Sequence, residues 1–438
     1  MATLNNFNNI ADITPVAMDV LENMLVLTKH VNRGYDDSFK QSGRIGDTAN
    51  IRVPGYYTYR RGAVANPQGY NDSFVPVTLN QGGVDIKFTS KELLLNVDDF
   101  KKNVLEPAMV PIATAIDGDG AALFTTLPDA AGIPGTAPTD LSTFLNAGAL
   151  MADYAVPLDS NRAALVNNWS QASMVNGMKT LFNPIKDISR QYQEGNMGEL
   201  AAGFKFSMTQ QTPIFTTGVF GTSTPIFQSI GAGLNTINVS GMASGASTWN
   251  KGDIVTIAGV YNVNPTTKAT TGQLKQFVVT ATTTDTSGTF LGLPIYPAMV
   301  TSGPLQNVTA LPVQGALVYF WGANNNTMSG KVSPTNCVFH RDAFLLACAD
   351  LPKVGPSELC TRIRHKRLNF TMRMIKFYDG ISDQQIYRLD VLYGWAKLRT
   401  GFDPQSGLRR NHHDQHPLQH PEHGSCRCCA ADPRRQYR

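Results

Sequence analysis

The chain has 438 residues, of which 42% are hydrophobic and only 16% charged, with Lys+Arg 37 against Asp+Glu 33 giving a formal net charge of +4. That length suggests two or three domains rather than one core. The near-balance of charge points neither to a polyanion-clamping surface nor to an acidic disordered chain. No apolar run approaches the roughly 18 residues of a membrane span, and the opening MATLNNFNNI lacks the pattern of a secretory signal, so a membrane protein or a secreted one is not expected. The six cysteines, Cys337, Cys348, Cys360, Cys426, Cys428 and Cys429, all lie in the last quarter of the chain. Most of the fold is therefore expected to do without disulfides, in a reducing compartment.

In chain order, Ile13 to Val31 reads as a helix, with Val16, Val20, Leu21, Met24, Leu25 and Leu27 at helical spacing and Thr14-Pro15 as its start. Thr48–Val53 is strand-like, and Gly55–Phe74 is rich in aromatics, Gly and Pro. Val75, Val77 and Leu79 alternate with polar residues, Gln81-Gly82-Gly83 reads as a turn, and Val84, Ile86 and Phe88 alternate again. Pairing Gly46–Arg60 with Phe74–Phe88 would make a ribbon with arms of about 50 Å at about 3.3 Å per residue. Such a ribbon is expected to lie on a neighbouring subunit; a small sheet packed on the same chain is the other reading.

A helix is expected from Val97 towards Phe124, kinked or broken by Pro107 and Pro111, followed by a loop from Pro128 to Phe144. Between Phe220 and Pro312 charges become sparse and short strands appear at Leu234–Val239, Ile254–Ile257, Phe277–Thr280 and Thr289–Leu293, the signature of a small β-barrel or sandwich inserted in a loop. The stretch RDAFLLACADL reads as a helix, and Asn369–Ile375 and Gln385–Val391 as strands. Beyond Gly401 the tail holds five of the eight histidines and three cysteines without apolar periodicity, and is expected to be disordered.

Chemistry has few footholds. Phosphate-loop, zinc-protease and nucleophile-elbow motifs are absent. Asp117 and Asp119 in DGDG resemble a calcium loop but lack its later ligands, and a helix interruption is the plainer reading. His340 beside Asp342 could be a general base; capping by Asp342 next to a surface histidine explains the same letters. Cys337 and Cys348 read as buried small hydrophobes. Arg362, Arg364, Lys366 and Arg367 form a basic strand, facing either a neighbouring subunit's carboxylate or DNA. The His/Cys tail, His412 to Cys429, could pick up metal adventitiously but fits no closed zinc site. No cofactor and no metal is therefore expected.

The order of several segments carries more than any motif. A helical arm, ITPVAMDVLENMLVLTKHV, precedes the strand GDTANIRVP, a Gly/Pro-rich loop, VTLNQGGVDIKFTSKELLLNVDDF, VLEPAMVPIATAIDGDGAALF, KGDIVTIAGVYNVNPTTKATTGQLKQFVVT and LDVLYGWAKLRTG. Over roughly Asn5 to Gly401 this resembles the major capsid protein of a tailed bacteriophage, in the branch related to the coat protein of Salmonella phage P22 that carries an inserted β-domain. The resemblance implies an α+β, Hong Kong 97-type shell fold: N-terminal arm (1–44), extended loop (45–90), spine helix and peripheral domain (91–138), axial domain (139–220), inserted small β-barrel (221–312), the remainder of the axial and peripheral domains (313–401) and a tail (402–438). It implies a non-enzymatic protein that assembles with itself into hexamers and pentamers around packaged double-stranded DNA, with a scaffolding protein and a portal as partners, in the virion and, during assembly, in the host cytoplasm. Tyr56, Tyr57, Tyr59, Arg60, Arg61 and Tyr70 are the expected subunit-interface residues of the loop. The rivals are a β-rich surface adhesin or tail-decoration protein and a hydrolase using His340.

Overall fold

The computed structural model describes residues 10–34, 48–53, 57, 59–65, 67, 69, 73–89, 104–177, 200–220, 224–243, 245, 247–321, 328–355, 359–365 and 369–398. Helix α1 spans Ile10–Met24 and a 3-10 turn follows at Leu27–His30, so the expected single helix is two pieces and Pro15 lies inside the first. Strands β1 (Thr48–Val53), β2 (Ser73–Thr78) and β3 (Asn80–Thr89) come next. Helix α2 (Glu106–Ala121) has a proline in its first turn, Pro107, and runs unbroken past Pro111 into a 3-10 turn, Ala122–Thr126. Pro111 lies beyond the first turn, so the helix runs on through it without the bond that an N–H there would donate to Pro107 O. Then follow α3 (Ser142–Asp153), β4 (Arg162–Val166), α4 (Asn168–Gly177), β5 (Lys205–Met208) and β6 (Ile214–Thr216).

The inserted unit contains β7 (Ile226–Ile230), β8 (Thr236–Ser240), β9 (Thr248–Trp249), β10 (Ile254–Val263), β11 (Thr270–Val279), β12 (Thr283–Thr284), β13 (Phe290–Tyr296) and β14 (Val318–Phe320). Six of these form one sheet in the order β14-β10-β11-β13-β8-β7. Its two edges meet: Phe227 N donates to Ala316 O at 2.8 Å and Val318 N to Pro225 O at 2.9 Å. Closure removes the free edges that a Thr/Ser/Gly-rich sheet would otherwise present. The barrel is filled by Trp249, fully buried, with Phe220, Phe290 and Phe320 packed edge-on at ring distances of 4.7, 6.3 and 5.3 Å.

The return to the body brings β15 (Val332–Pro334), β16 (Cys337–His340), β17 (Phe344–Cys348), β18 (Cys360–His365), β19 (Phe370–Asp379) and β20 (Gln384–Lys397). The stretch RDAFLLACADL is thus a short 3-10 turn, Arg341–Ala343, and the strand β17, not a helix. Its apolar run Phe344–Cys348 is buried on both faces, which abolishes the polar alternation that would have marked a strand. Strand β20 is the backbone of the body, with β17 and β19 beside it, β18 beyond β19, and β3 on its N-terminal half.

The long ribbon expected from Gly46–Arg60 and Phe74–Phe88 is therefore corrected. Among the described residues β1 pairs only with β2, from Thr48↔Thr78 to Val53↔Ser73, about 20 Å of ribbon at about 3.3 Å per residue. Strand β3 instead joins the body, Val84 opposite Leu389 and Ile86 opposite Tyr387, because its apolar alternation faces the main core. Gln81-Gly82-Gly83 is strand, not turn; a Cβ on Gly83 would stand 2.2 Å from Leu389 O, so glycine is what lets the two strands meet. The base of the ribbon is also covered from within: Ile51 and Val77 are buried against Leu345, Ala347 and Ala396. The remaining flank of Gly46–Arg60, the start of the expected spine helix before Val104, and the tail beyond Gly401 lie outside the described residues.

Candidate subunit interface and barrel junction

What the body does not cover is the tip between β1 and β2. Tyr57 is 58% exposed and Tyr59 90%, and every described residue from Tyr59 to Ala65 is exposed. Arg60 donates to the carbonyl of Gly62, and Arg61 is solvent-facing. Tyr56 and Tyr70 lie outside the described residues. Tyrosine and arginine without an internal packing partner are the types that carry interface energy when a partner buries them.

The basic strand is drawn more into the fold than its sequence suggests. Arg362 donates to Leu351 O at 3.2 Å and stands 3.7 Å from Asp350 of the same chain. Arg364 Nε donates to Asn369 Oδ1 at 2.5 Å, and His365 meets Glu22 of α1 at 2.8 Å. The carboxylate expected from a neighbour is, for Arg362, its own; Lys366 and Arg367 are outside the described residues.

The residues weighed for catalysis turn out to be braces. Asp117 does not interrupt α2: it is buried within the helix and accepts from Val26 N (2.6 Å), Leu27 N (3.1 Å), Thr28 N (3.3 Å) and Thr28 Oγ1 (2.8 Å). It caps another segment's 3-10 turn, supplying the acceptors its first N–H groups need. Burial pushes its carboxyl up, against the pull of those bonds. Asp119 accepts from Tyr393 OH at 2.7 Å. His340 is 3% exposed rather than on the surface; Asp342 N donates to its Nδ1 at 3.3 Å, and its Nε2 lies 3.2 Å from Asp159 Oδ1. The histidine thus caps the turn, while Asp342 accepts from Asn32 at 2.7 Å. Burial works against ionisation of Asp159, but bonds from Asn161 and His340 outweigh it and hold its carboxyl low. Cys337 and Cys348 are buried as expected, and burial pushes the Cys337 thiol far up, the opposite of an activated nucleophile. A cavity of about 540 Å³ opens between the barrel and the body, with Phe124, Phe144, Ile254, Trp321 and both His340 and Cys337 in its wall. With the histidine's two nitrogens engaged and the thiol held neutral, these two side chains do not form an activated nucleophile–base pair. Among the described residues no cluster of His, Cys, Asp or Glu has the makings of a metal site, and no helix is long and apolar enough to cross a membrane.

Sequence reasoning missed how the barrel is held. Lys275 of β11, 2% exposed, donates to Tyr154 OH at 2.5 Å, and Tyr154 OH donates to Asp129 Oδ1 at 2.7 Å. Beside them Gln276 and Ala130 exchange two hydrogen bonds, at 2.6 and 3.1 Å. Asn264 Nδ2 donates to Asp153 O at 2.9 Å. A lone lysine in a barrel strand carries no signal for this role; only the docked geometry reveals it.

A closed barrel grafted onto a sheet-and-helix body, with an exposed aromatic tip and braced rather than reactive carboxylates, is the make-up of a structural subunit, here a viral coat protein. The sequence matches the P22 coat protein family (gene protein 5) over residues 110–402, and the chain belongs to that family. It is therefore a capsid protein, whose copies associate into the icosahedral shell of the virion. No curated protein matches it in sequence. Among solved structures it is similar to a chain from Mycobacterium phage Che8 (11% identity, 86% of this chain and 89% of that one, TM-score 0.42). Another is the capsid of cyanophage P-SCSP1u (9% identity, 85% and 84%, TM-score 0.42). A third, the CUS-3 coat protein I-domain, is 26% identical over 23% of this chain and 94% of its own, with a TM-score of 0.17.

Proposed function

We propose that copies of this chain, in the Hong Kong 97-type arrangement, form hexamers and pentamers that close the shell around double-stranded DNA, and that the β1–β2 tip of each copy is laid on its neighbour. The observation that carries the loop assignment is the exposure of Tyr57 and Tyr59 above a ribbon whose base is already packed on its own body. A shell is built from many repeated weak contacts under geometric closure, and a rigidly based aromatic tip suits that task. In this reading the basic segment Arg362, Arg364, Lys366 and Arg367 meets a second copy or the packaged DNA by nonspecific contact. Assembly in the host cytoplasm with a scaffolding protein and a portal completes this reading.

The test is the triple variant Tyr59→Ala, Arg60→Ala, Arg61→Ala. Loss of an interface hot spot of about 2 kcal/mol raises the concentration needed for assembly more than tenfold. The monomer should keep its circular dichroism spectrum while sedimentation and negative-stain microscopy show few shells. Shell yield equal to the parent protein, or an unfolded monomer, refutes the loop assignment. Trimeric fibres from the parent protein would favour an adhesin instead.

A further inference from the structure

The cavity of about 540 Å³ between the barrel and the body is walled largely by aromatic side chains. Phe124 and Phe144, both buried, stand on the body side, and Ile254, Phe215 and Trp321 on the barrel side. The neck holds the barrel side in place. Strands β6 and β15 pair antiparallel, and Asp253, buried at the start of β10, accepts from Gly218 N at 3.1 Å and from Trp321 Nε1 at 3.4 Å. Phe215 and Trp321 are thereby set with their rings 5.9 Å apart. A preformed space of this size, aromatic within and polar at a few points, is the usual form of a binding site.

The wall also has a sign. Among its described residues Asp129 and Asp140 are acidic, and none is lysine or arginine. Asp140 is exposed and accepts from Ser142 N at 2.9 Å. Asp129 accepts the Tyr154 hydroxyl on Oδ1, while its Oδ2 is buried without a hydrogen-bond partner. Lys275 lies behind Asp129, across Tyr154 OH, and the stem of Lys331 lies beside Gly135 of the covering loop; neither lines the cavity. The β1–β2 tip has the complementary make-up. Tyr57, Tyr59 and Val64 are 58%, 90% and 85% exposed, Arg60 and Arg61 stand between the last two, and no described residue from 57 to 65 is acidic. All of these residues are exposed, so the tip does not occupy the cavity of its own chain.

We propose that the cavity is the socket for the β1–β2 tip of a second copy, which sets its tyrosines against Phe124, Phe144 and Trp321 and its arginines at Asp140 and Asp129. This rests on the loop assignment above and adds where the tip lands. A knob and a socket at different places on one chain make a heterologous contact, which propagates around a ring instead of closing on a pair. The proposed hexamers and pentamers are such rings. Tyrosine and arginine entering an aromatic, acid-edged space are also the side chains that contribute most per residue when an interface buries them.

Crosslinking within shells tests it. Ala63→Cys on the tip and Thr136→Cys on the covering loop both replace exposed residues, so the fold should stand. They are made with Cys426, Cys428 and Cys429 changed to serine, which leaves only the buried cysteines. A short bismaleimide should join chains carrying both into a ladder that runs past dimers to five and six chains, and should leave either single variant uncrosslinked. Charge exchange is the second arm. Arg61→Asp and Asp140→Arg should each raise the concentration needed for assembly about tenfold, and together return it to within about threefold of the parent. Asn146→Trp, an exposed position of α3 in the cavity wall, should raise it similarly by filling the space. No ladder in shells that form, a ladder ending at dimers, a crosslink inside one chain, or charge reversals that add instead of compensating would each overturn the socket. So would equal uptake of an apolar fluorophore by shells and by monomers, because the cavity would then be empty in the shell. If the socket fails while the triple alanine variant still blocks assembly, the tip lies elsewhere on its neighbour; if that variant assembles normally, the loop assignment fails and the socket with it.

Discussion

Removing the carboxylate of Asp117 should loosen the N-terminal arm from the body. In Asp117→Ala, three backbone N–H groups of residues 26–28 and the Thr28 hydroxyl lose their acceptor in a site where Leu27 and Thr28 are buried. Hydrogen bonds to a charged group are worth about 1.5 kcal/mol or more each, so the gross loss approaches about 6 kcal/mol. Part of this is offset, since burial pushes the carboxyl up and the ionised form is itself penalised there. Stranding buried donors without that penalty leaves a net cost of about 3 kcal/mol. The assay is hydrogen exchange of the peptides covering residues 24–31 and 106–121, where protection should drop by about two orders of magnitude. Asp19→Ala, on the exposed face of α1, is the control and should change protection less than twofold. Equal behaviour of the two variants would refute the capping role and return Asp117 to a mere passenger of α2. The acid response has a definite sign: a raised carboxyl favours the folded state at low pH, so this group's contribution falls as pH rises through its titration.

Two further outcomes are expected. Gly83→Ala places a methyl 2.2 Å from Leu389 O and 2.9 Å from Asp390 Oδ1, so β3 must shift away from β20, costing about 2 kcal/mol or more; a melting temperature within a degree of the parent would contradict this. Arg373→Met leaves Asp390, 1% exposed and 2.6 Å from the guanidinium, with only Arg388 as a cationic partner; breaking such a buried pair costs about 3–5 kcal/mol, read by denaturant midpoint. Although burial alone would raise the Asp390 carboxyl, its bonds from Arg373 and Arg388 hold it low, so the pair's stabilisation is present at neutral pH and is lost as pH falls through the folded-state value. The Met variant should therefore show a weaker acid destabilisation than the parent protein.

Much of the molecule was legible from local pattern because it obeys local rules. The barrel strands announce themselves by short alternating runs between Gly, Asn and Pro, and the arm and α2 by apolar stripes. The family was legible in the order of segments, and the aromatic tip in its composition. Other features were not, and the reason is the same in each case. Strand β17 is buried on both sides, so its letters read equally well as a helix. Strand β3 carries the alternation of a hairpin arm, yet its partner is β20, some 300 residues further on; alternation defines a face but not who covers it.

The polar groups divide in the same way. Asp117, His340, Asp253 and Lys275 carry no sequence signal that separates a brace from a catalyst, because what each does depends on which donor or acceptor arrives from a distant segment. Composition and periodicity pointed to helices, strands, an aromatic loop and a small barrel or sandwich inserted in a loop, and the order of the segments supplied the α+β class through the family resemblance. Only tertiary structure decided that the base of that loop packs on its own body and that the barrel's two connections pair side by side next to a buried carboxylate, since burial and hydrogen-bond partnership are properties of contacts between segments.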